Sequence, residues 1–226
     1  VKYFEKYMKK IFVFPILMSM VILFSGCSVS KWLGTEEVSG YDIKNKTPEE
    51  LMKMAKDTDD IDLLIALSKH KNEGVRSDVA KNESLPANIQ QQLALDKEWL
   101  VRNYLGANPN IDHEVANILM ADTDQRVRWT VAKNPNTPES VMLELADDNS
   151  PQVLLKLVTN NGLTEKVMIK AAEIIPATVA IEMLKRDDIT QPVIDVLMKR
   201  NDKKIREAIE SKWNTENDDT MEFLGE

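Results

Sequence analysis

The sequence predicts an all-α fold, an array of about six and a half two-helix repeats of 26 residues each. Three observations carry this. The first is a set of apolar columns that hold one step. Val75, Val101, Val127, Val153, Val179 and Ile205 lie 26 residues apart. Four places on stand Val79, Leu105, Val131, Leu157, Met183 and Ile209, one helical turn away and on the same face. Two further columns run Ile89, Val115, Val141, Val167, Val193 and Leu67, Leu93, Leu119, Leu145, Ala171, Leu197. The second observation is a proline-marked corner inside the unit, clearest in Val127–Asp148, VRWTVAKNPNTPESVMLELADD. The third is composition. Only 7 Gly and 9 Pro occur among 226 residues, while Leu, Met, Ala, Lys and Glu abound, which favours helix over sheet.

Units fall at 45–70, 71–96, 97–122, 123–148, 149–174 and 175–200, with a half unit at 201–213. The first is degenerate, as terminal units of such arrays are, since one face meets water. Its opening helix is nonetheless well signalled. Thr47 serves as N-cap, Pro48 takes the first helical position, and Glu50 completes a capping box. In the central units Asp122, Thr123 and Asp124 supply acceptors for the free N–H groups of the next helix. Asn134 precedes Pro135, which ends that helix, and Thr137-Pro138-Glu139 starts its partner. Helices this short do not stand alone, so each unit must pack on the next.

Polar columns keep the same step. Asn82, Asn108, Asn134 and Asn160 are read as closing each corner by bonding nearby backbone or by adopting the left-handed conformation, in preference to a ligand-binding ladder. Arg76, Arg102, Arg128 and Arg206 form another column. Asp96 and Asp122 stand six residues before Arg102 and Arg128, suggesting a charge ladder between neighbouring units and not a catalytic pair. The arginine column lapses at Leu154 and Ala180, so the last units depend on apolar packing.

The pattern VR..VA.NPNTP....L..LA.D is similar to the leucine-rich repeat variant family, and the spaced Asp and Val-Arg also resemble HEAT repeats. The resemblance covers roughly residues 60–213 and is clearest over 71–160. It implies a right-handed α-solenoid of stacked units and a habit of binding, not an activity. Some members of the variant family carry an iron–sulfur module rich in cysteine. This chain has a single cysteine, Cys27, so that feature is not carried over.

Residues 1–10 are basic, Ile11–Phe24 is apolar apart from Ser19, and Phe24-Ser25-Gly26-Cys27 follows. This is the order of a secretory signal, and the apolar run is short for a membrane span. FSGC resembles the lipobox of bacterial lipoproteins, with Phe24 where Leu is usual. The resemblance makes Cys27 the lipid attachment site and places the rest of the chain on the extracytoplasmic face of a bacterial envelope membrane. An uncleaved anchor with an incidental cysteine is the competing reading. Met8 offers a second start for translation beside Val1. The expected layout is a signal peptide at 1–26, a lipidated cysteine and flexible tether at 27–46, the repeat domain at 47–213 and an acidic disordered tail at 214–226.

The formal charge is −8, and −11 once the basic first ten residues (net +3) are set aside, which argues against nucleic acid as partner. No phosphate loop, GxSxG or HExxH occurs, and neither a metal site nor a cofactor is expected. Trp99, Tyr104 and Trp129 lie in or beside first helices of adjacent units and outside the apolar columns. They either anchor a partner or fill the seams between units. The expected function is therefore non-enzymatic: a lipid-anchored scaffold for a protein or peptide partner. The alternatives are an envelope enzyme, or a small-ligand carrier or sensor using the groove. A pocket uniting the three aromatics would favour the carrier, and an open groove the protein partner.

Overall fold

The computed structural model describes the backbone of residues 41–221 and the side chains of residues 41–213. The chain divides into two compact units, Val1–Asn45 and Lys46–Glu226. The expected signal peptide, Cys27 and most of the tether lie outside the described residues, as do residues 222–226.

The described part of the second unit is all-α, with thirteen helices and no strand. They are α1 (Pro48–Asp57), α2 (Ile61–Leu67), α3 (Glu73–Lys81), α4 (Ala87–Leu93), α5 (Trp99–Gly106), α6 (His113–Leu119), α7 (Gln125–Lys133), α8 (Glu139–Leu145), α9 (Pro151–Val158), α10 (Glu165–Ile174), α11 (Ala177–Leu184), α12 (Gln191–Lys199) and α13 (Lys203–Met221). Among the described residues no helix is long and apolar enough to cross a membrane.

Local chemistry sets the helix ends. Glu50 N–H donates to Thr47 Oγ1 at 3.3 Å and Thr47 N–H to the Glu50 carboxylate at 2.8 Å, the reciprocal cap that opens α1. Asp124 accepts from Arg126 N–H at 2.9 Å to open α7. That helix stops at Asn134, held extended at φ −70° and ψ 118° before Pro135. Thr137 reaches backwards, its hydroxyl donating to the Val131 carbonyl at 2.7 Å, and Pro138 takes the N-cap position of α8. The last helix runs on to Met221, into the segment whose composition suggests a disordered tail. No proline or glycine interrupts 203–221, so nothing covalent stops the helix at Trp213.

Every residue of the four apolar columns is buried. α1, α3, α5, α7, α9, α11 and α13 each pack on the next of the series, forming one row. The even helices lie behind it, with α4 on α6, α8 on α10 and α10 on α12. Helices of two turns survive in this setting because each buries one stripe against its pair and its flanks against two neighbours.

Candidate functional site

The four asparagines of the column are buried, and their amides do two jobs at once. Each Oδ1 accepts the N–H two residues on, from Ser84, Asn110, Asn136 and Gly162, at 2.7 to 3.0 Å. That closes the corner, as expected from sequence. The left-handed alternative is not used, since Asn82 and Asn134 have φ of −68° and −70°. Each Nδ2 reaches the preceding pair. Asn108 donates to the carbonyls of Ala80 and Asn82 at 2.9 Å each, and Asn134 to those of Gly106 and Asn108 at 2.9 and 2.8 Å. Asn160 repeats this on Ala132 and Asn134, while Asn82 begins it on Ala55 and Thr58. These acceptors include the carbonyls a helix C-terminus leaves without an internal partner. The corners approach closely: at Gly162 a Cβ would run into the Pro135 carbonyl.

The column continues beyond Asn160 in residues of another type, which the asparagine pattern does not reveal. Arg186 stands 26 residues after Asn160, and its guanidinium donates to Val158 and Asn160 carbonyls at 3.0 and 2.8 Å. Lys212, one step further, donates to Leu184 and Arg186 carbonyls at 2.8 Å each. A cation replaces an amide because a helix C-terminus attracts positive charge.

The charge ladder is present in a different register from the one its spacing suggests, and each carboxylate fork falls inside one 26-residue unit; what crosses to the preceding unit is the bond from the arginine to a backbone carbonyl. Arg102 does not pair with the Asp96 carboxylate six residues before it. It takes the Asp96 carbonyl at 2.6 Å and grips the Asp122 carboxylate with two bonds, at 2.5 and 3.0 Å. Arg76 holds Asp96 in the same way at 2.6 and 2.9 Å, and Arg128 holds Asp148 at 2.6 and 3.1 Å. The Asp148 member was not foreseen. A guanidinium has a planar fork that fits a carboxylate on one edge while its remaining N–H reaches back to the corner it came from. These pairs are largely dry, with side-chain exposure of 8% and 8% for Arg76 and Asp96. Burial pushes the Asp96 carboxyl up, but bonds from Arg76 and the Glu98 N–H outweigh it and hold it below the usual carboxylate range. His70 occupies the Asp position one step earlier. Its Nδ1 accepts the Asn72 N–H at 3.1 Å, and burial, with Lys71 and Arg76 nearby, pushes its pKa below the ordinary histidine value.

The aromatic candidates all lie on the row of odd helices, and each carries a cation on its ring. Arg126 stacks on Trp99 at 3.4 Å, Lys81 on Tyr104 at 3.8 Å, and Lys156 sits over Trp129 at 5.4 Å. Each stack joins neighbouring odd helices. Trp99 and Tyr104 are half-buried, so they fill seams, whereas Trp129 is 38% exposed. The structure does not bring the three together. Tyr104 lines an open hollow of about 600 Å³ with Met52, Arg76, Ser77 and Leu100; Trp99 and Trp129 do not.

On the outward side of α5, α7 and α9 runs a stripe at positions 100, 103, 104, 107 and their equivalents at steps of 26. None of these residues is acidic. α7 contributes Arg126, Trp129 and Lys133, and α9 contributes Leu155 and Lys156, all exposed or half-buried. Over the same stretch the even helices expose Glu114, Glu139, Glu144 and Glu165. The even row also carries Lys166 and Lys170, but these are bridged to Glu139 at 3.1 Å and Asp147 at 2.6 Å, so the difference between the rows is that the stripe on the odd helices has no carboxylate of its own. His113 is exposed; its Nε2 meets Ser140 Oγ at 3.0 Å and its Nδ1 meets Asn117 Nδ2 at 3.1 Å. No family model matches the chain, and neither a curated protein nor a solved structure matches it.

Proposed function

We propose that this chain is a lipoprotein of the bacterial cell envelope, anchored through Cys27, whose helical unit is a right-handed α-solenoid of about six and a half repeats acting as a protein-interaction scaffold. The solenoid reading is supported by the helix starts. The even helices begin at Ile61, Ala87, His113, Glu139, Glu165 and Gln191, each 26 residues after the last. The anchor rests on the basic start, the apolar run and FSGC. The function rests on one observation above others, the outward stripe of α5, α7 and α9, where aromatic and aliphatic side chains stand among cations on a chain of net charge −8. Exposed Trp beside Arg and Lys is the chemistry of a binding anchor, and an open row of helices offers length instead of enclosure.

A photo-crosslinking residue in place of Trp129, in cells expressing the full chain, tests the scaffold. A discrete crosslinked protein, absent when the probe replaces exposed Glu144 on the opposite row, is the expected result. Equal crosslinking from both positions, or none from 129, contradicts it. Palmitate labelling tests the anchor: wild type is labelled, and Cys27→Ala is unlabelled and uncut. The carrier reading is less well supported, since the hollow beside Tyr104 is open and contains one of the three aromatics.

A further inference from the structure

We infer that the stripe across α5, α7 and α9 receives an extended acidic peptide segment. The inference rests on the scaffold reading and adds the partner's chemistry. Among the described residues Lys133 and Lys156 have no carboxylate partner, unlike Lys81, which is bridged to Asp78 at 2.6 Å, and Lys185, bridged to Glu182 at 2.7 Å. The stripe therefore changes character along the row. Its flanks on α3 and α11 neutralise their own lysines, and its centre does not.

Trp129 lies between these two cations in space: Lys133 is one turn on along α7, and Lys156 stands over the indole from α9. A partner laid here meets a part-exposed indole with two positive charges beside it that no carboxylate among the described residues neutralises. Arg126 adds a third cation, though Asp124 already holds it at 2.6 Å. Gln152 on α9 and Thr159 just after it are exposed; Gln152 offers its amide N–H to a peptide backbone, and the Thr159 hydroxyl, which donates to the Leu155 carbonyl at 2.8 Å, keeps its acceptor capacity. A basic segment would find no carboxylate on these positions.

Nucleic acid fits less well. Its affinity grows with the number of phosphates neutralised, and this patch supplies few cations on a chain whose net charge of −8 repels a polyanion at a distance. A short peptide with a few carboxylates avoids that repulsion. Helices packed roughly 10 Å apart make the three-helix stripe about 20 Å across, which an extended peptide of about six to eight residues spans.

Fluorescence anisotropy with the full chain provides the test. The probe is a labelled peptide of about eight residues, glutamate and glycine with one central leucine. Controls are the same peptide with lysine for glutamate, and an oligothymidylate of equal length. The acidic peptide should bind, weaken with added salt, and lose about tenfold in affinity in Lys133→Glu/Lys156→Glu, with helicity and melting unchanged. If that variant loses helicity, Lys133→Gln/Lys156→Gln should show the same trend with a smaller loss. Tighter binding of the lysine peptide or of the oligothymidylate overturns the inference, as does acidic-peptide binding indifferent to both variants. If the acidic peptide fails to bind while the probe at position 129 still crosslinks one protein, the scaffold stands and the acidic class is wrong.

Discussion

Two stretches of the helical unit, α3–α8 and α9–α13, share apolar columns and differ in what fastens their seams. In the first, a buried asparagine amide and a forked arginine–aspartate pair recur at every step. In the second, the arginine–aspartate pair lapses at once, and the asparagine amide lasts one step more, at Asn160. The arginine positions become Leu154 and Ala180, both buried, and the next aspartate position becomes Ile174, which is exposed. Arg206 restores the residue type but turns to Asn201 Oδ1 at 2.5 Å. Asn201 is the one non-glycine with positive φ, 54°, among the described residues, at the corner after α12. The asparagine positions become Arg186 and Lys212, which reach the same class of carbonyl. The contrast separates two requirements. Burying one stripe per helix is common to both stretches, whereas the unpaired carbonyls at helix ends can be met by an amide or by a cation.

Core truncation should not distinguish the two stretches. Leu145→Ala and Leu197→Ala are each expected to cost about 2–5 kcal/mol in chemical denaturation, because both side chains are fully enclosed. A harmless Leu145→Ala would break the column register. The next effect should appear only where the charge ladder exists. Arg128→Ala leaves Asp148 buried without its fork and should cost about 3 kcal/mol, more than a surface ion pair. Replacing the pair together, Arg128→Met with Asp148→Leu, should recover much of that loss. The comparison sharpens at the third column. Asn134→Ala strands two buried carbonyls and one N–H and should cost roughly 2–3 kcal/mol. Arg186→Ala should cost about 1 kcal/mol, because its carbonyls are only part-buried and water can replace it.

The smallest effect concerns pH at the first step of the ladder. His70 is neutral by preference in the fold, its pKa lying below the ordinary value. The unfolded chain then binds more protons between the folded and unfolded pKa values. Stability should fall as pH drops from about 6.5 through the lower folded value, then level off, as far as this residue is concerned. The charged groups facing it are Lys71 on its own corner and Arg76 on α3, and neither relieves the added charge. Melting temperature against pH for wild type and His70→Asn measures this, with a flatter profile expected in the variant.

Much of this was legible in the sequence because burial repeats at a fixed step. Val127, Val131, Val141 and Leu145 announce themselves by type and spacing. The cap at Thr47 and the stop at Asn134–Pro135 are equally local, set by residues next to one another. What was not legible depends on reach between residues 20 or more apart in the chain. The Asp96–Arg102 spacing of six looked like a pair, but the carboxylate belongs to Arg76, 20 residues earlier. The asparagine column seemed to end at Asn160, since Arg186 and Lys212 share its role but not its chemistry. Signals were available: both cations stand at the 26-residue step, Arg186 just beyond α11 and Lys212 inside α13. The three aromatics do not line one hollow. Equal spacing does not tell which neighbour a ring faces, and each ring found a cation from an adjacent helix.

The central claim is that two different seam chemistries hold one apolar design, and individual amide exchange rates test it most directly. An asparagine Oδ1 accepts the N–H two residues on at Ser84, Asn110, Asn136 and Gly162. Arg186 has no acceptor to offer, so the equivalent Asp188 N–H lacks that bond and meets only its own exposed carboxylate. Hydrogen exchange followed by NMR should therefore find the amides of Asn110 and Asn136 slow, and that of Asp188 fast. Asn134→Ala should release Asn136 while leaving Asp188 as it was. Equal protection at Asn136 and Asp188 in the wild type, or an Asn136 amide indifferent to the loss of Asn134, would contradict the account.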